Sequence, residues 1–229
     1  MVESCKVFIV MPAYNEAKIL GDVLRELLDC NPSYRVIVVD DGSCDGTATV
    51  AGSFGVHVLT HPVNLGQGAA LATGIEYALR EKAEIIVTFD ADGQMCPQDI
   101  SVLVSEVVNS GVDVALGSRF LTLPPVGMSR SKRIVLRLAT AMTNLATGLK
   151  VTDTHNGIRA FKAEALRKIV ITQNRMAHAS EILSQIARNK LTQREVPVTV
   201  RYTKYSKAKG QSIFNAINIL YELFMGGTK

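Results

Sequence analysis

Two aspartates one residue apart, Asp90 and Asp92, close the apolar run Ile85-Ile86-Val87-Thr88-Phe89. Carboxylates held that close repel each other unless a cation or hydrogen-bond donors offset their charge. Hard divalent ions such as Mg²⁺ or Mn²⁺ suit oxygen ligands and keep open positions for substrate phosphates. Gln94 adds a neutral oxygen two residues further on. The plain alternative is a solvated acidic turn, because Asp-Gly is a common turn pair. Two more polar clusters argue against it. Pro12-Ala13-Tyr14-Asn15-Glu16 follows one apolar run, and Asp40-Asp41-Gly42-Ser43 follows another. Singly, each could be a turn or a helix cap; together they look like one site.

The elements that must carry these clusters are short β-branched runs alternating with helical patterns. Lys6–Met11, Arg35–Val39, Val56–Leu59, Glu84–Phe89 and Asp113–Leu116 read as buried strands. Ile19, Leu20, Val23, Leu24, Leu27 and Leu28 repeat at helical spacing, as do Ala72, Ile75 and Leu79. Such alternation predicts an α/β fold with a mostly parallel, Rossmann-like central sheet flanked by helices. Sheets of this kind bind ligands at the carboxyl ends of their strands, where all three clusters fall.

The chain changes character near Leu121. A Pro-containing stretch, Thr122–Gly127, reads as a loop. Helical patterns follow at Ser131–Thr147, Ala163–Ile169 and Ala179–Asn189, then a strand at Val196–Val200 and an amphipathic helix at Ser212–Met225. The expectation is one domain over 1–229, with ligand binding in about 1–118 and a helical half over about 119–229.

Composition narrows the classes. The 229 residues are 47% hydrophobic and 20% charged, with a net charge of +4, an ordinary globular profile. No run approaches the roughly 18 apolar residues of a membrane span. The four cysteines form no C-x-x-C pair and no leader is evident, so reduced thiols and a cytoplasmic location are expected. His57, His61, His155 and His178 lack zinc-ligand spacing. Gly66-x-Gly68 is not placed as a dinucleotide fingerprint.

PAYNE, VVDDGSCDGT, NLGQGAAL, FDADGQ, GSRF, DTHNGIRAF and EVPV…KGQS follow one another in order. With them the chain resembles the family 2 glycosyltransferases of the GT-A fold, most nearly those that make polyprenyl-phosphate hexoses. The resemblance implies that Pro12, Tyr14 and Glu16 line the base and ribose of a nucleotide-sugar. Asp40 or Asp41 would accept a hydrogen bond there. Asp90 would contact ribose or metal, and Asp92 and Gln94 would hold Mg²⁺ or Mn²⁺ against the diphosphate. Gln67 stands where many members carry Lys or Arg, and Lys207 where an Arg often meets the donor phosphate. Lys keeps the charge without the bidentate geometry.

No acidic residue occurs from Val114 through Thr152, whereas Arg119, Arg130, Lys132, Arg133, Arg137 and Lys150 do. By the resemblance, Arg119 and Arg133 would meet the phosphate of a polyprenyl-phosphate or other lipid-linked acceptor, near a membrane surface. Nucleic acid is a poor fit, because no aromatic residues interleave these charges. The final helix would pack on the core or lie at a lipid interface. A phosphate acceptor needs no general base, but a sugar hydroxyl does. Glu181 is the candidate, with His178 second. A non-catalytic nucleotide-sugar-binding subunit is the alternative from another class.

Overall fold

The computed structural model describes residues 5–121, 128 and 130–201. Lys207, the other cations after Arg201 and the predicted helix at 212–225 lie outside the described residues, as does the 122–127 stretch.

Seven strands form one sheet in the order β3-β2-β1-β4-β6-β5-β7. They are β1 (Val7–Ala13), β2 (Arg35–Asp40), β3 (His57–Thr60), β4 (Ile85–Thr88), β5 (Val114–Ser118), β6 (Arg159–Lys162) and β7 (Gln193–Pro197). All run parallel except β6, which is antiparallel to both β4 and β5. The helices are α1 (Ala17–Cys30), α2 (Thr47–Gly52), α3 (Gln67–Arg80), α4 (Asp99–Ser110), α5 (Arg130–Thr147), α6 (Ala163–Leu166) and α7 (His178–Arg188).

Continuous apolar runs make the central strands because both faces are covered. Val7, Ile9 and Met11 of β1 pack into a core with Leu20, Leu24 and Leu27 of α1 and Leu103 and Val107 of α4. Phe8 and Val10, pointing the other way, join Leu71 and Ile75 of α3 and Ile182 and Ile186 of α7. Period-two alternation thus feeds two cores from one strand.

Several features depart from the sequence expectation. Strand β3, expected as a buried strand, lies at the edge of the sheet and holds no buried residue. Arg159–Lys162, quoted only as part of a motif, is a strand at the middle of the sheet. The last strand runs over Gln193–Pro197 rather than 196–200, because its register pairs Val114 with Gln193 and Ser118 with Pro197. Val200 makes only an isolated bridge to Met95. Helices α2 and α4 are not among the expected elements, and the expected helix at 163–169 is the single turn α6.

Candidate active site

The parallel strands end together, so the chain after each one emerges at the same end of the sheet. Strand β1 delivers Tyr14-Asn15-Glu16, β2 delivers Asp41, β4 delivers Asp90 and β5 delivers Arg119. Strand β6 runs the other way and contributes its beginning: Arg159 pairs with Thr88, and Gly157 precedes it at the same edge.

The segments after β1 and β2 are locked together. Asn15, in the left-handed region at φ 53°, accepts from the Cys44 N–H through Oδ1 (3.0 Å), and its own N–H donates to Ser43 Oγ (2.9 Å). The Glu16 N–H donates to Thr47 Oγ1 (2.9 Å) and the Ala17 N–H to Asp45 Oδ2 (3.1 Å). The first turn of α1 therefore draws its acceptors from the DGSCDGT loop, satisfying donors that a helix start leaves open. Tyr14 remains exposed beside this junction, whereas Glu16 and Pro12 are buried.

The two aspartates ending β2 divide their work. Asp41 accepts from the Leu65 N–H (3.0 Å) and Gly66 N–H (2.7 Å) and pairs with His61 Nδ1 (2.8 Å). It fixes the loop leading into α3. Asp40 is 2% exposed, and its Oδ1 has no hydrogen-bond partner. A buried acceptor without a donor is costly, so this oxygen has room for an N–H or O–H from outside the protein. Of the two expected contacts, Asp40 has the acceptor to spare.

At the same end of the sheet, Gln67 Nε2 donates to Asp90 Oδ1 (2.8 Å). Gln94 folds back on Asp92, its backbone N–H donating to Oδ1 (3.0 Å) and its side-chain amide to Oδ2. Burial raises the Asp90 pKa most, and the Asp92 charge raises it further; Arg159, Arg119 and the Gln67 hydrogen bond oppose them. The group is thus pressed to shed its charge unless a cation arrives. Gly157 lies against this carboxylate, where an added Cβ would sit 2.5 Å from Asp90 Oδ2. Any larger residue would have to push the Asp90 carboxylate and the Met95 methyl aside. Two carboxylates and an amide oxygen on one tight loop, with no room behind Asp90, form a donor set that suits Mg²⁺ or Mn²⁺ completed by phosphate and water. Among the described residues no cluster of three or more His, Cys, Asp or Glu competes with it.

Opposite the acidic loop lies a built-in cationic layer. Arg159 is buried and donates to the carbonyls of Asn156 (3.1 Å), Thr154 (3.0 Å) and Ala179 (3.4 Å). Burial lowers its pKa to about 10, against the pull of Asp153 and Asp90. Arg119 donates through Nε to Asp153 Oδ2 (2.5 Å) and through a terminal nitrogen to the His155 carbonyl (2.9 Å). Asp153 is in turn placed by Glu195 of β7, which accepts from the backbone N–H groups of Thr152 (2.8 Å) and Asp153 (3.2 Å). Sequence reasoning named neither Asp153 nor Glu195 for the site. One signal was present: Asp153 is the acid that ends the acid-free stretch.

Arg133 lies half-buried on α5. Glu181, the candidate base, is committed to its own neighbourhood: its carboxylate accepts from the backbone N–H groups of Thr172 (3.0 Å) and Gln173 (3.0 Å) and from the Thr172 hydroxyl. It shapes the turn whose Asn174 carbonyl accepts from the Gly68 N–H (2.8 Å) at the start of α3. An added Cβ on Gly68 would lie 2.0 Å from the Gln173 oxygen, so the second glycine of Gly66-x-Gly68 serves this close approach. His178 Nδ1 is within 2.6 Å of the Arg175 carbonyl.

The glycosyl transferase family 2 pattern matches residues 8–170, from the start of β1 past α6. The chain belongs to glycosyl transferase family 2. This glycosyltransferase is 32% identical over 239 residues to the UDP-N-acetylglucosamine–dolichyl-phosphate N-acetylglucosaminyltransferase of Methanococcus voltae, a match covering 96% of this chain and 95% of that one. It is 30% identical over 227 residues to the polyprenol monophosphomannose synthase of Mycolicibacterium smegmatis, covering 93% and 84%. Among solved structures, glucosyl-3-phosphoglycerate synthase from Mycobacterium tuberculosis in complex with Mn²⁺, UDP and glucosyl-3-phosphoglycerate superposes with a TM-score of 0.76. That match is 19% identical and covers 96% of this chain and 78% of the other; the likeness is one of fold, GT-A.

Proposed function

We propose that this glycosyltransferase moves a hexose, with inversion, from a nucleotide-sugar to the phosphate of a polyprenyl-phosphate acceptor. The observation that carries the reading is the meeting of the Asp90–Asp92 loop with the Arg119–Asp153 pair at one sheet edge. An acidic loop that needs a cation suits a diphosphate leaving group, and an arginine fixed by its neighbours suits an anionic nucleophile. Both named relatives make polyprenyl- or dolichyl-phosphate sugars, which supports the same acceptor class here. UDP-hexose is the first choice of donor and GDP-mannose the second.

In this reading Asp40 Oδ1 accepts an N–H or O–H from the base or ribose, and Pro12, Tyr14 and Glu16 wall the nucleoside. Asp90, Asp92 and Gln94 would hold Mg²⁺ or Mn²⁺, which neutralises charge on the departing nucleoside diphosphate. Gln67 keeps the Asp90 carboxylate turned toward it, and Lys207 is the sequence's candidate to close on the donor phosphates. Arg119 and Arg133 receive the acceptor phosphate. One of its oxygens attacks the anomeric carbon, the bond from that carbon to the diphosphate oxygen breaks, and the electron pair leaves on the diphosphate. A phosphate oxygen is already anionic, so no base is required. Glu181, whose carboxylate already receives three protein donors, fits that economy.

The test is incubation with labelled UDP-hexoses or GDP-mannose, Mn²⁺ and a short-chain polyprenyl phosphate, followed by organic extraction. Label passing into the lipid phase in a metal-dependent manner supports the reading. Donor turnover with label only on water-soluble sugars would replace it with a hydroxyl acceptor. No turnover by folded protein would favour a binding subunit.

A further inference from the structure

After β7 ends at Pro197, the chain runs on along the acidic loop and is tied to it residue by residue. The Val198 N–H donates to the Ser118 carbonyl (3.0 Å), and the Thr199 N–H to Asp99 Oδ2 (2.7 Å) at the start of α4. Val200 pairs with Met95 in an isolated antiparallel bridge, and the Arg201 N–H donates to the Gln94 carbonyl (2.7 Å). Met95 is buried, and its sulfur accepts from the Asp90 N–H (3.3 Å). The strap at 198–201 therefore grips Gln94 directly and reaches Asp90 through Met95.

The strap is itself anchored by an ion pair to another element. The Arg201 guanidinium meets Glu26 of α1 with two prongs, one terminal nitrogen on Oε2 and the other on Oε1, each at 2.8 Å. It also donates to Cys96 Sγ (3.4 Å). The Gln98 amide lies 3.5 Å from Glu26 Oε1 and donates to Cys30 Sγ (3.1 Å) at the end of α1. Arg201 and Glu26 are partly exposed, at 41% and 36%. Surface ion pairs count for little in general, but bidentate arginine–carboxylate geometry is the exception. The planar fork fixes position as well as charge. Across 175 residues of chain, the pair ties α1 and the strap to one short loop.

We propose that Arg201 and Glu26 are positioning residues for the metal loop. They are not among its candidate ligands. The pair holds the strap, and the strap holds Gln94 and Met95, so that Asp90, Asp92 and Gln94 keep one arrangement. Two carboxylates one residue apart push each other away, so a loop that carries them has to be held from outside until a cation arrives. A loop already in place loses less binding energy to ordering. The inference rests on the reading of Asp90, Asp92 and Gln94 as a divalent-metal site.

The experiment is a titration of the full chain with Mn²⁺, the free ion followed by electron paramagnetic resonance, with UDP and, separately, GDP present. Glu26→Ala and Arg201→Ala should each weaken Mn²⁺ binding about fivefold, and the double variant should be no weaker than either, because all three lack the same pair. Arg201→Lys, which keeps the charge but not the fork, should fall between these and wild type. Circular dichroism and the thermal unfolding midpoint should stay close to wild type. Hydrogen exchange of the metal-free variants should quicken at 90–96 and 198–201 alone. Single variants that bind Mn²⁺ like wild type overturn the proposal and leave the metal site standing. So do losses that add in the double variant, which would make the two residues act separately, and exchange that quickens throughout the fold. Wild type that binds no Mn²⁺ with either nucleotide overturns the metal reading, and the positioning role falls with it.

Discussion

The side-chain amide of Gln67 donates to Asp90 Oδ1 at 2.8 Å, so the first residue of α3 holds the first aspartate of the acidic loop. Hydrogen bonds to a charged group are worth about 1.5–3 kcal/mol. Gln67→Leu removes the donor without adding charge. It should weaken metal-dependent nucleoside diphosphate binding about tenfold or more, read by calorimetric titration with Mn²⁺ present. Unchanged affinity would show that Asp90 is oriented by other groups.

Gly157→Ala places a methyl group against both oxygens of Asp90 and against Met95. Because the first obstacle is the carboxylate itself, the damage should concentrate on metal and diphosphate binding. Transfer should fall by about a hundredfold, in line with the sensitivity of reacting groups to small displacements. The check is activity alongside thermal unfolding; a variant with wild-type turnover would mean that Asp90 can swing aside freely.

Glu195 reaches the site through two relays: it holds the 152–153 backbone, and Asp153 holds Arg119. Glu195→Ala should raise KM for the phosphate acceptor several-fold more than KM for the donor. Asp153→Asn acts one step closer and should be worse, since leaving one partner of a buried ion pair costs about 3–5 kcal/mol. Equal changes in both KM values for Glu195→Ala would point to general loosening instead.

Glu181→Gln separates the two acceptor chemistries. If the nucleophile is a phosphate, transfer should stay within about threefold of wild type while stability drops by about 1 kcal/mol through weaker hydrogen bonds to 172–173. A rate loss of several hundredfold without unfolding would make Glu181 the base of a hydroxyl transfer.

Burial lowers the His155 pKa to about 4; Asp153 pulls the other way, while Arg119 and Arg159 add to the lowering. The unfolded chain takes up that proton near the ordinary histidine pKa of about 6.5. Between about pH 6.5 and 4 the unfolded state therefore binds more protons, and stability falls as pH drops through that window. Above it the contribution is constant. His155→Gln should flatten the acid limb of the Tm-versus-pH curve relative to wild type, and parallel curves would remove His155 as a source of acid sensitivity.

Much of this candidate site is legible in the sequence because its acidic members sit at the ends of strongly apolar strands. Asp40 and Asp90 each follow an uninterrupted β-branched or aromatic run, and the parallel-sheet rule brings such ends together. The division of labour between Asp40 and Asp41 was not readable, since it depends on where the 61–66 loop passes. Strand β6 escaped because it has four residues, begins with an arginine and ends with a lysine. Its core partners show only in the register with Ile86 and Thr88. Arg119, Asp153 and Glu195 come together over chain separations at which hydrophobic periodicity carries no information. Glu181 is read from the sequence as a candidate base, whereas the 172–173 backbone it holds lies outside any pattern of spacing.

Strand β6 comes from the second half of the chain yet lies between two strands of the first, β4 and β5, which have no ladder with each other. Cutting the protein near residue 118 would strand β5 without its neighbour and open an unsatisfied edge on β4. The two halves of the chain are thus woven rather than bolted together. A chimaera that borrows another enzyme's second half would have to import an interior strand of the sheet with it, and with that strand Gly157 and Arg159, which border Asp90. On the proposed reading, acceptor preference is therefore changed more safely by substitutions on α5 and at the end of β5 than by exchanging whole segments.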